Sequence, residues 1–100
     1  MGKIFVVLKR PGQAPESVYI ENELEEFQKL VGGYIETLTL ATDLAIVFNE
    51  EGRLIGLPHN FNLCGLDMVG NVVFVRVKGD EFASAPSIDY LCRLFPALRR

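Results

Sequence analysis

The groups able to do chemistry crowd into one stretch. Asn49-Glu50-Glu51-Gly52-Arg53-Leu54-Ile55-Gly56-Leu57-Pro58-His59-Asn60 holds two adjacent carboxylates, an arginine and the only histidine, and Asn62 and Cys64 follow at once. Histidine titrates near neutral pH and is the commonest general base. Cys64 lies close enough in sequence to suggest a thiol–imidazole pair, with Asn60 or Asn62 as the third group that orients the ring. The flanks argue otherwise, because Leu63, Gly65 and Leu66 around Cys64 read as a buried thiol rather than an activated thiolate. Zinc sites show paired ligands at short spacing, and this chain has no such pair. Glu50 and Glu51 at a turn tip are solvated and point apart, so neither is tuned as an acid or base. No glycine run matches the patterns that cradle phosphates. What remains is binding chemistry. Short polar side chains after a proline stop, His59, Asn60 and Asn62 with Arg53 nearby, can hydrogen-bond a small ligand or a partner backbone. The plainer reading is that the asparagines satisfy their own loop.

Composition narrows the class. One hundred residues, 49% hydrophobic and 23% charged, make one globular domain spanning residues 1–100. A net charge of −3, from 13 acids against 10 bases, argues against nucleic acid as a partner and is too small for a mimic of it. The run Ile4-Phe5-Val6-Val7-Leu8 is too short for a signal peptide, and nothing approaches the length of a membrane span. The expectation is a cytoplasmic protein, off the membrane, with Cys64 and Cys92 reduced and buried.

The elements that position these groups follow from patterning. Lys3 to Lys9 is a strand buried on both faces, and Ser17 to Ile20 is its antiparallel return across a proline-glycine loop. Asn22 is expected to cap a helix in a capping box with Glu25, and Leu24, Phe27, Leu30 and Val31 form its apolar stripe. Gly32-Gly33 stops it. Strands are expected at Tyr34–Leu40 and Leu44–Phe48. Asn49-Glu50-Glu51-Gly52 is then a hairpin turn into a strand over Arg53–Leu57, with Gly52 supplying a positive φ. Residues 59–68 read as irregular, Val69 to Lys78 as the longest strand, and Ser87 as the cap of a last helix closed by Pro96.

Several of these segments, taken in order, resemble one family. Leu30-Val31-Gly32-Gly33-Tyr34-Ile35-Glu36, Asn49-Glu50-Glu51-Gly52, Gly56-Leu57-Pro58 to Asn60, and Val69-Gly70 before an apolar strand are similar to the uncharacterised domain of unknown function 3846. The resemblance runs over nearly the whole chain. It implies a small accessory protein of a bacteriophage, plasmid or similar mobile element, and it implies no activity. Family members often carry Arg directly after the Asn of the Gly-Leu-Pro-x-Asn motif. Here that position is Phe61, so an anion grip by that basic group does not carry over.

The sequence therefore predicts an α+β domain: a mixed, mainly antiparallel sheet of five or six strands with two helices packed on one face. It predicts a non-enzymatic binding protein with no cofactor and no metal, whose partner is a host protein or a small polar ligand. Arg53, His59, Asn60 and Asn62 are the binding residues. Uncovered sheet edges predict a homodimer. The rival from another class is a small hydrolase or transferase using His59 with a carboxylate.

Overall fold

The computed structural model describes residues 2–99. Strands β1 (Lys3–Lys9) and β2 (Glu16–Glu21) pair antiparallel, helix α1 (Leu24–Val31) follows, and β3 (Ile35–Ala41) and β4 (Leu44–Asn49) form the next hairpin. After a long turn come β5 (His59–Leu63), β6 (Leu66–Val69), β7 (Val72–Lys78) and β8 (Glu81–Ala83), then α2 (Ile88–Leu94) and a 3₁₀ turn, Pro96–Arg99. The main sheet runs β2-β1-β7-β4-β3, with β8 also on β7, and β5-β6 is a separate two-stranded ribbon. Every pairing is antiparallel among the described residues. The architecture is α+β with a sheet of six strands, as the patterning indicates.

The helices do not share a face. Alternate residues of the central strands point to opposite sides. Val6, Leu8, Ala45, Val47, Val73 and Val75 meet Phe27 and Val31 of α1. Val7, Leu44, Ile46, Val72 and Phe74 meet Leu91 and Cys92 of α2, Leu98 of the 3₁₀ turn, and Phe61, Leu63 and Met68 of the β5-β6 ribbon. This corrects the expectation of two helices on one face. The central strands are apolar on both sides, so each side must be covered, and one short helix cannot cover either side and leave the other bare.

Local expectations fail where a side chain has another partner. The cap of α1 is Glu23, which makes no side-chain cap bond, because the Asn22 amide donates to the Phe82 carbonyl at 2.8 Å and ties α1 to β8. Leu24, expected in the buried stripe, is 54% exposed, whereas Phe27 is buried edge-on against Phe82. Gly32 adopts φ 79°, the left-handed conformation that ends the helix without a Cβ clash. Ser87 accepts a hydrogen bond from the Tyr90 amide and caps α2 as expected.

Candidate functional site

The two stretches on either side of Pro58 depart most from the sequence reading. Residues 53–57 form no strand. Glu50 to Gly56 is a series of turns held by its own backbone, with the Ile55 amide donating to Glu51, Gly56 to Arg53 and Leu57 to Gly52. Gly52 does not take a positive φ among the described residues; it is buried, and a Cβ there would lie 3.1 Å from Val69 Cγ2. Close packing rather than turn conformation is what asks for glycine at this position. The segment read as irregular is the hairpin β5-β6, closed by a two-residue turn at Cys64-Gly65. Both turn residues have positive φ, 50° and 89°, which suits the right-handed twist of the flanking strands. Cys64 is therefore exposed at the tip, against the expectation of a buried thiol, and Cys92 is buried.

The four predicted binding residues divide into two pairs. Arg53 and His59 meet at Asp67, a residue the sequence reading passed over. The Arg53 guanidinium donates to the Asp67 carbonyl at 2.8 Å, and His59 Nδ1 contacts Asp67 Oδ1. Both ends of the histidine–aspartate contact are exposed. Asn60 and Asn62 point into the protein's own backbone. Asn62 Oδ1 accepts from the Gly65 amide and closes the tip of the hairpin. The Asn60 amide donates to the carbonyls of Lys9 and Gly70, both at 2.7 Å, and its oxygen accepts from Lys9 Nζ at 3.0 Å.

Lys9 is the centre of that network. Only 1% of it is exposed, and its ammonium has two acceptors, Asn60 Oδ1 and the Arg10 carbonyl at 2.9 Å. Burial lowers its pKa from the ordinary 10.5, since removing a cation from water disfavours the charged form. Both cations at the end of β1 are engaged, Lys9 inside the protein and Arg10 in an ion pair with Glu16.

Two grooves flank the turn segment. The narrower, about 340 Å³, has Leu38, Phe48, Leu66 and Met68 among its walls, with Glu36, Glu50, Arg53 and Asp67 at its polar positions. The wider, about 500 Å³, lies between the end of α1 and the turn segment, with Tyr34 and Ile55 as its large apolar lining. Leu54 faces the first groove and Ile55 the second. Asn49 borders both, and its buried amide joins helix to turn: it donates to the Val31 carbonyl at 3.2 Å and accepts from the Glu51 amide at 2.8 Å. Asn71 donates to the Leu30 carbonyl, so two asparagines satisfy the open carbonyls at the end of α1. The only hint of this in sequence is that Asn49 and Asn71 each adjoin an apolar strand end, a position where a short amide reaches backbone.

No group of three or more His, Cys, Asp or Glu residues able to hold a metal occurs among the described residues, and no helix among them is long and apolar enough to cross a membrane. No curated protein and no solved structure matches this chain. The family model of the domain of unknown function DUF3846 matches residues 3–96, from the start of β1 to the first residue of the 3₁₀ turn, and the chain belongs to that family.

Proposed function

We propose that this chain is a non-enzymatic, cytoplasmic accessory protein of a phage or other mobile element, and that it acts by binding a host protein through Ile55, carried by the Glu50–Leu57 turn segment, and the wider groove beside it that Tyr34 lines. The observation that carries the reading is a turn held in place by hydrogen bonds that nevertheless presents apolar side chains to water. Ile55 is 59% exposed and Tyr34, across the groove, 69%. A segment without secondary structure holds one shape only if its polar groups are satisfied, and here the side chains of Asn49 and Arg53 and the backbone amides of Glu50, Gly52, Ile55, Gly56 and Leu57 do so. A fixed aliphatic and an aromatic with a polar rim are the anchors proteins use on one another, because little ordering entropy is lost on docking. The mobile-element role rests on the resemblance described above. A small polar ligand fits less well, since Asn60 and Asn62, its best hydrogen-bonding groups, are engaged internally.

The hydrolase or transferase reading draws on one contact, His59 against Asp67, which has the orientation of an acid–base pair with its carboxylate on Nδ1. Both groups are exposed, and among the described residues no hydroxyl or thiol hydrogen-bonds the ring.

Affinity capture from host lysate with three forms separates the readings. Proteins retained by the wild type and by His59→Ala but lost with Ile55→Asp support the binding surface, and a photocrosslinking residue in place of Tyr34 should join the same protein. A captured set indifferent to Ile55→Asp rejects the surface. A partner or activity that depends on His59 favours the enzyme reading.

A further inference from the structure

The two outer strands of the main sheet are defended unequally. Strand β2 begins and ends on carboxylates, Glu16 and Glu21, and follows a proline, devices that discourage another strand from pairing. Strand β3 reads Ile-Glu-Thr-Leu-Thr-Leu-Ala, with Glu36 as its single charge and no lysine or proline. Its outer backbone groups have no strand partner among the described residues. Beside this edge lies the narrower groove, to which β3 contributes Glu36 and Leu38. There Leu54 is 86% exposed and Leu66 is also exposed. Arg53 is the one cation among the residues lining that groove, alongside Glu36, Glu50 and Asp67.

We infer that a second copy of this chain occupies the edge, pairing antiparallel along β3 about a two-fold axis through Leu38, so that the two sheets run on as one. In that register Leu38 faces its own counterpart, and the exposed Thr37 faces the partner's Thr39. Glu36 faces an apolar residue rather than another carboxylate, so no like charges stand opposite one another. An isologous contact sets the same patch against itself. The narrower groove answers that demand: its leucines cover their copies, and each Arg53 is brought toward an acidic rim. A purely basic partner would satisfy the carboxylates but would leave Arg53 facing a like charge, and that favours a second copy over such a partner. The inference uses β3 and the narrower groove, whereas the proposed host-protein surface uses Ile55 and Tyr34. A monomer would leave that proposal standing, and an intact dimer carrying Ile55→Asp would leave this one standing.

Light scattering at micromolar concentrations tests it, with folding of each form checked by circular dichroism. The wild type should have twice the 11.2 kDa chain mass. Thr37→Lys with Thr39→Lys sets cation against cation and should weaken the dimer at least tenfold. Thr37→Lys with Thr39→Glu sets each cation against a carboxylate and should restore the dimer. Both threonines are exposed, so neither double variant has a buried side chain to lose. A monomeric wild type overturns the inference, as does a dimer indifferent to the double-lysine change. If the lysine–glutamate form is as weak as the double-lysine form, the register through Leu38 is wrong. Should either variant fail to fold, nuclear Overhauser contacts between labelled and unlabelled copies at the Leu38 methyls decide the same question.

Discussion

The stretches before and after Pro58 reverse their apparent roles. Arg53-Leu54-Ile55-Gly56-Leu57 carries three large aliphatics in five residues, yet Leu54 and Ile55 are exposed and the segment is all turns. His59-Asn60-Phe61-Asn62-Leu63 is interrupted by polar residues at every second position, yet it is a strand with Phe61 and Leu63 buried. Apolar content alone does not place a segment in the core. Period-two alternation gives one face to bury and leaves the other for polar contacts, whereas consecutive aliphatics after a turn have no single face to commit. The apolar run leaves Leu54 and Ile55 in water, and the alternating run is consumed by the fold.

The contrast is sharpest at Phe61, which stacks on Phe74 with ring centroids 6.3 Å apart. Phe61→Ala should cost about 3–5 kcal/mol in chemical denaturation, the usual penalty for emptying an aromatic site in a core. A loss near 1 kcal/mol would show the ribbon to be loosely attached. Next is Asn60→Ala. It strands two carbonyls and takes one of two acceptors from a buried ammonium, and about 3 kcal/mol should be lost. If stability instead holds within about 0.5 kcal/mol, Asn60 faces outward and belongs with Arg53 and His59 as a contact residue.

A smaller effect tests the cation itself. The pKa of Lys9 is lowered on folding, so between that lowered value and 10.5 the unfolded chain binds more protons than the folded one, and stability gains with rising pH. Measured against Lys9→Met, which lacks the group, the wild type should therefore gain stability as pH climbs through that window. Parallel pH profiles for the two forms would mean that the ammonium is solvated. The smallest effect is expected on the other side of Pro58, where Ile55→Asp should shift stability by no more than about 0.5 kcal/mol because the side chain already stands in water. A larger loss would move Ile55 into the core and remove the contrast.

Much of the fold was legible because its signals are local. The bounds of β1, the glycine end of α1 and the Ser87 cap of α2 depend on residues within a turn of each other, and each was read correctly. The β5-β6 hairpin also left a local mark, Leu63-Cys64-Gly65-Leu66. It was missed because cysteine rarely takes the first positive-φ position of such a turn. The site was less legible. Asp67 meets His59 only once the hairpin register sets β5 beside β6, and Lys9 meets Asn60 only once that ribbon lies on the sheet.

The sequence by itself determined an α+β class, a first strand apolar on both faces, most element boundaries and the absence of a conventional metal or nucleophile motif, because periodicity, capping and ligand spacing act over a few residues. Tertiary structure alone decided that the helices take opposite faces, that Leu54 and Ile55 stay in water, that Leu24 is exposed, and that Asn49, Asn60 and Asn71 are internal braces. Those outcomes turn on which side chain wins a place against a surface built from distant parts of the chain. An amide or a leucine carries no mark of its eventual neighbour until that surface exists.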